Sequence, residues 1–295
     1  MIGVVCHDAG GAEMVSSYVR REKLAAAFAL EGPARAIFAR KLGVQDVLPI
    51  EDVIERADWV LCGSGWQTDF EWRGIELARG ASKRVVTMLD HWSNYRDRFE
   101  RHGKTRLPDE VWVGDEPSVA IARAALPELP VRLVPNPYFA DLQDEIAAAR
   151  GRSANRDPGV RVLYLTEPTA EHCRVRFGNE RHRGYTEFDA LQYFFAHRDA
   201  AQLERATIVL RPHPAEPRTK YASLLAAERA RFSEIPSLID DILASDVVVG
   251  CSTSAMVIAL LAGKRVICSI PPGGDPSGLP FPAIEQLPAP VDHAS

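Results

Sequence analysis

Five short stretches of the 295-residue chain gather the side chains that move protons or hold anions, and each follows an apolar run. In "CHDAGGAE", His7 and Asp8 precede Gly10 and Gly11. A carboxylate can take a proton from a sugar hydroxyl, and a histidine can do so near neutral pH, so the pair reads as acid/base chemistry. Asp8 can also simply cap the following helix. The two glycines permit a tight turn and let a ligand approach the amides that open that helix. In "LDHWSNYRDRF", Asp90, His91, Trp92, Asn94, Tyr95 and Arg96 form a dense polar and aromatic set without apolar periodicity. Core packing does not account for it, so binding or catalysis is expected there. In "GSGWQTDFEW", Trp66 can wall a sugar ring, whereas Trp72 fits the core side of an amphipathic helix.

The remaining two stretches carry anion chemistry. "VLRPHPAEPRTKY" sets Arg211 and His213 where a strand ends, in a chain of formal net charge −5. An imidazole can donate to a phosphate, and a guanidinium can meet phosphate or carboxylate oxygens with two parallel bonds. Pro212 and Pro214 fix the backbone on both sides of His213 and hold it at low entropic cost. "GCSTSAMVIALLAGK" presents Ser252, Thr253 and Ser254 at the start of an apolar helix, where hydroxyls and free amides form a neutral phosphate cradle. An ordinary N-cap needs only one of the three. GxSxG is absent, which weakens a serine nucleophile. No HxxxH motif or carboxylate cluster accompanies Asp90 and His91, so no metal is expected.

The elements that must position these groups alternate from end to end. Strand-like "IGVVC", "AAFAL", "WVLCGSG", "RVVTMLD", "EVWVG" and "VRLVPNP" are separated by helix-period segments, which predicts βαβ units and a mainly parallel sheet. The alternation stops at the polar "DLQDEIAAARGRSANRDPG" and resumes with "VRVLYL", "TIVLRPHP", "DVVVGCSTS" and "RVICSIP". The expected organisation is an N-terminal acceptor-side domain over 1–139, a linker over 140–159 and a C-terminal donor domain over 160–295. Both are doubly wound α/β domains, facing across a cleft, with ligands outside the carboxyl ends of the strands.

Composition narrows the class. The chain is 46% hydrophobic and 25% charged, as for a soluble globular protein. No apolar run approaches the roughly 20 residues needed to span a bilayer, and the N-terminus passes directly into a strand without a secretory leader. Five scattered cysteines suggest reduced, buried thiols and a cytoplasmic home. Mild acidity gives no support to a nucleic-acid partner.

Two Rossmann-like halves, "RLVPNPYF" between them, an HP dipeptide and a Ser/Thr-rich strand-to-helix turn resemble the GT-B glycosyltransferases. "RPHP" with "CSTSAM" is most similar to bacterial sialyltransferase and polysialyltransferase-like enzymes and their Kdo-transferase relatives. The resemblance implies that His213 and Pro214 meet the donor phosphate together with Ser252, Thr253 and Ser254. It implies a carboxylate base, loosely matched by Asp8 and Gly10 in "HDAGG"; the family element has two acidic residues, and here His7 and Ala9 flank one. The implied activity is metal-independent, inverting transfer from a nucleotide sugar, CMP-linked, with Arg211 or Arg96 meeting the carboxylate of a nonulosonic acid or Kdo. The nucleotide sugar is then a co-substrate, no cofactor is needed, and the acceptor is a hydroxyl of a glycan, lipid or protein. The "PPGGDPSGLPFPAIEQLPAPVDHAS" tail lacks the long closing helix of many GT-B enzymes, so a homodimer would cover that surface. Nucleotide-sugar hydrolases and 2-epimerases share the two-domain design, and "LDHW" faintly resembles the hydrolase pattern, which gives His91 and Asp90 more weight. A non-catalytic binding protein would leave the His-Asp pair without a task.

Overall fold

The computed structural model describes residues 1–65, 68–151 and 159–287. Trp66 and residues 152–158 of the expected linker lie outside the described residues. The chain divides into two compact units, Met1–Asp141 and Leu142–Ser295.

The first unit runs β1 (Ile2–Cys6), α1 (Ala9–Arg21), β2 (Ala26–Leu30), α2 (Gly32–Leu42), α3 (Ile50–Arg56), β3 (Trp59–Cys62), α4 (Phe70–Gly80) and β4 (Arg84–Leu89). A small hairpin, β5 (Glu100–Arg101) and β6 (Lys104–Thr105), precedes β7 (Glu110–Val113), α5 (Glu116–Ala125) and β8 (Val131–Leu133); α6 (Pro137–Arg150) begins in the first unit and ends in the second. Residues 140–150, read as the start of a linker, are the continuation of α6. The second unit runs β9 (Arg161–Leu165), α7 (Thr169–Phe177), α8 (Glu187–His197), β10 (Thr207–Arg211), α9 (Ala222–Ala227) and β11 (Arg231–Phe232). It closes with α10 (Leu238–Leu243), β12 (Val247–Gly250), α11 (Ser254–Leu261), β13 (Arg265–Cys268) and β14 (Ile284–Gln286).

Each unit is built on a six-stranded parallel sheet, ordered β2-β1-β3-β4-β7-β8 in the first and β11-β10-β9-β12-β13-β14 in the second. The central strands are buried along their length, every residue of β1 and of β12 included. That explains their continuous Val/Ile composition, because helices on both faces leave no wet side to a parallel sheet. Helices reach those faces with apolar rows, such as Ala12, Val15 and Val19 of α1. Burying each such Val contributes about 1.5–3 kcal/mol.

Both orders reverse direction at an interior point, between β1 and β3 in the first sheet and between β9 and β12 in the second. Ligands of open α/β sheets bind beyond the carboxyl ends of the strands at such points. Registry brings the relevant tips together: Cys6 pairs with Leu30, Val5 with Cys62, and Val249 with Tyr164. Residues following β1 therefore lie beside those following β3, and residues following β9 beside those following β12.

No helix among the described residues is long and apolar enough to cross a membrane. All five cysteines are free and buried.

Candidate functional site

At the first switch point three carboxylates converge. Asp8 occupies the N-cap position of α1 in an extended conformation (φ −78°, ψ 149°), yet its side chain makes no capping bond. The capping role is therefore not what the residue does. The amides of His7 and Asp8 both donate to Glu71 Oε1, at 2.7 and 3.2 Å. Glu71 comes from α4, whose buried row is Glu71, Gly74, Ile75 and Ala78. It is only 2% exposed, and its Oε2 has no hydrogen-bond partner among the described residues.

Asp90 completes the group. Its Oδ1 accepts from Ser64 Oγ at 2.8 Å and from Arg98 at 2.5 Å, and Arg98 also donates to the Ser64 carbonyl at 2.6 Å. Burial works to raise the Asp90 carboxyl, but Arg98 and the Ser64 hydroxyl prevail and hold it below the usual carboxylate range. Asp8 moves the other way: burial raises it first, and the negative charge of Asp90 raises it further. Burial likewise raises Glu71, against the hydrogen bonds it accepts from the His7 and Asp8 amides. One carboxylate is thus fixed as an anion by Arg98, and its neighbour Asp8 is tuned toward taking up a proton. An environment that pushes paired carboxylates apart is how proteins assign acid/base roles.

Gly10 and Gly11 serve a purpose different from the one the sequence suggests. A β-carbon on Gly10 would sit 1.8 Å from Asp90 Oδ2, and one on Gly11 3.1 Å from the Gly63 Cα. The glycines admit a carboxylate and a neighbouring strand tip. That carboxylate lies against the first turn of α1 at Gly10. The imidazole of His7 lies over Gly32, whose β-carbon would come within 2.6 Å of Nε2.

The aromatic set after β4 separates into core and surface. Trp92 is buried and donates through Nε1 to Asp115 at 2.8 Å; Tyr95 is 2% exposed within the first unit's core. Both rings are buried, so neither presents an exposed face for stacking. Asn94 is exposed with φ +56°, a turn position, and Arg96 is engaged by Glu100 and Glu128 at the surface. His91 packs against Trp92, with ring centroids 5.3 Å apart, and its Nδ1 lies 3.3 Å from Ser93 Oγ.

At the second switch point, consecutive residues after β9 fasten both anion motifs. Thr166 Oγ1 accepts the His213 amide at 3.1 Å and donates to Glu216 Oε2 at 2.5 Å. Glu216 in turn accepts from Tyr221 at 2.6 Å and from Lys220 at 2.7 Å, and Lys220 also binds Glu187. This buried network sets the loop that carries His213. The Ala215 amide donates to His213 Nδ1 at 3.2 Å, which leaves the proton on Nε2. Burial holds His213 below its usual value, outweighing the charge of Glu216. It is a half-buried neutral donor at pH 7, with Pro214 exposed beside it.

Glu167, next in sequence, binds the amide of Ser252. Burial raises its carboxyl, opposed first by the Ser252 and Thr253 amides and then by the charge of Arg183. The Ser252 and Thr253 amides of that turn are thus taken up by an internal anion. The three hydroxyls divide their labour. Ser252 Oγ donates to Ser277 Oγ at 3.1 Å and accepts the Gly278 amide at 3.2 Å; Thr253 is the N-cap of α11; Ser254 stays exposed. Arg211 is turned to structure, donating to the carbonyls of Ile235 at 2.7 Å and Pro236 at 2.6 Å and to Asp241 at 3.1 Å.

Glu71, Arg98, Thr166, Glu167, Arg183, Glu187 and Glu216 escaped the sequence reading. Glu71 and Glu187 could have been found, because each is a carboxylate on the inward row of its helix. Among the described residues, no group of three or more His, Cys, Asp or Glu is placed to hold a metal ion.

No protein-family profile and no curated protein matches the chain. Solved structures do. UDP-GlcNAc 2-epimerase from Methanocaldococcus jannaschii shares 13% identity over 90% of this chain and 83% of that one, with a TM-score of 0.60. A putative UDP-N-acetylglucosamine 2-epimerase from Listeria monocytogenes shares 14% over 90% and 78%, with a TM-score of 0.59. S. aureus MnaA, solved with UDP, shares 13% over 90% and 78%, with a TM-score of 0.57. The likeness establishes the fold: two parallel-sheet α/β units of GT-B type.

Proposed function

We propose that the protein is a pyrimidine-nucleotide-sugar glycosyltransferase in which Asp8 activates the acceptor. The observation that carries this reading is the state of Asp8: at a switch point, free of capping duty, and raised by burial beside the ionised Asp90. In the proposed step the acceptor hydroxyl gives its proton to Asp8 as its oxygen bonds to the anomeric carbon. The bond from that carbon to the phosphate oxygen breaks, and the electron pair leaves with the nucleotide. His213 Nε2 is assigned to the developing charge, with Arg183 and the exposed Ser254 hydroxyl as further donors. A neutral imidazole suffices for this, since a donor aimed at forming charge need not itself be charged. The CMP expectation from sequence and the UDP named for S. aureus MnaA are both pyrimidine nucleotides.

A thermal-shift panel of CMP, UDP, CDP and GDP tests the donor half, because a ligand held by the native state alone raises the melting temperature. A selective rise with CMP, CDP or UDP is expected; no rise with any of the four overturns the reading. A second reading, sugar 2-epimerisation, is favoured by the epimerases that share the fold. Product analysis separates the two. A transferase releases nucleotide in step with added acceptor, whereas an epimerase returns an intact nucleotide sugar with an altered ring.

A further inference from the structure

A cavity of about 270 Å³ opens in the first unit beyond the carboxyl end of β2, away from the residues assigned above. Its lining is mostly polar, with apolar contributions from Leu48, which follows the bridge between Phe28 and Val47, and from Phe70, which opens α4, both partly exposed. Its rim is charged, formed by Glu31, Arg35 and the ion pair of Arg73 with Glu51. Arg35 spends only Nε, on the Leu30 carbonyl at 2.9 Å. Its two terminal nitrogens and the whole Glu31 carboxylate have no hydrogen bond or ion pair among the described residues.

The cavity is joined to the His7–Asp8 tip from both sides. Glu31 donates its amide to the Cys6 carbonyl at 3.1 Å, and Gly32, next to it, lies under the His7 ring. On the other side Phe70 precedes Glu71, which receives the amides of His7 and Asp8. Drug-sized ligands occupy about 300–1,000 Å³, so this space suits a single ring. A carboxylate that accepts, a guanidinium that donates and one aromatic ring in an otherwise polar lining match a hexopyranose, with hydroxyls around its edge and C–H groups on its face.

We infer that this cavity is a binding subsite for one neutral hexopyranose unit, recognised by Glu31 and Arg35 at its edge and Phe70 beneath its face. Only the sugar's role as acceptor rests on the transferase reading; the binding itself does not.

Saturation-transfer NMR tests it, with methyl α-D-glucopyranoside, methyl α-D-galactopyranoside and methyl N-acetyl-β-D-glucosaminide as probes and cyclohexanol as the control. Transfer to at least one glycoside is expected, at least fivefold weaker in Arg35→Ala, an exposed position, and in Leu48→Trp, which fills the space. The nucleotide-induced thermal shift should be unchanged in Arg35→Ala. Absence of transfer to all three glycosides, transfer unaltered by Arg35→Ala, or an equal response to cyclohexanol would overturn the inference. Sugar binding that survives while no nucleotide binds leaves this subsite standing and removes the transferase reading.

Discussion

The two switch points solve the same geometric problem with opposite assignments of charge. After β1 comes His7–Asp8, and after β9 comes Thr166–Glu167. In the first unit the dipeptide's amides donate to an imported carboxylate, Glu71, while the Asp8 side chain makes no capping bond and keeps only the Ala9 amide as a hydrogen-bond partner. In the second the dipeptide supplies the carboxylate, and an imported amide, that of Ser252, donates to it. The same pairing of amide and carboxylate thus frees an acid/base group on one sheet and consumes one on the other. A carboxylate at a strand tip is informative about chemistry only once its partners are known.

Five experiments bear on that contrast, and the largest effect belongs to Asp8. Asp8→Asn should lower turnover by about 10²–10⁴-fold, the usual contribution of a positioned acid or base, while nucleotide still raises the melting temperature. Retained turnover in steady-state assays would strip Asp8 of its role. The next largest concerns stability. Arg98→Met leaves Asp90 charged and unpaired in the interior, a loss of about 3–5 kcal/mol in urea unfolding, and the further change Asp90→Asn should restore much of it.

Third, His213→Ala should weaken nucleotide binding by about 10–100-fold by calorimetry, matching the ~1.5–3 kcal/mol of a hydrogen bond to a charged group. Equal affinity would show that the imidazole faces elsewhere. The smallest effect is expected from Glu167→Gln. A carboxyl raised on folding burdens the native state once both forms ionise, so the burden is absent in acid and develops as pH climbs through and beyond the ordinary carboxylate range. The amide variant should therefore melt slightly higher than the parent at pH 8 and equally at pH 4. The same logic sets the pH profile: turnover should fall on acidification at a pH above the ordinary carboxylate range, because Asp8 is raised. Asp90→Asn should move that fall to lower pH.

The alternation of apolar runs and amphipathic segments gave away both parallel sheets, because strands covered on both faces have little choice but Val, Ile, Leu and small residues. Short strands such as β11, and α3 with seven residues, carry too little periodicity to be seen. The strand-tip motifs were legible as places but not as roles. Tyr95 and Trp92 look like binding residues in sequence because aromatic and polar residues alternate there, yet burial claims them. Arg211 looks like a phosphate clamp until the distant carbonyls of Ile235 and Pro236 come into view. Such partners lie 24 and 25 positions away, and no local pattern encodes which of two acceptors a guanidinium will choose.

The hydrogen at the α-carbon of residue 10 gives protein engineers a lever of single-methyl size. Alanine there would have to displace the Asp90 carboxylate from its seat beside Arg98, so a change that adds no charge and removes no side chain would nonetheless rewrite the electrostatics around Asp8. Random mutagenesis should therefore record position 10 as intolerant, with no active-site chemistry of its own to explain why.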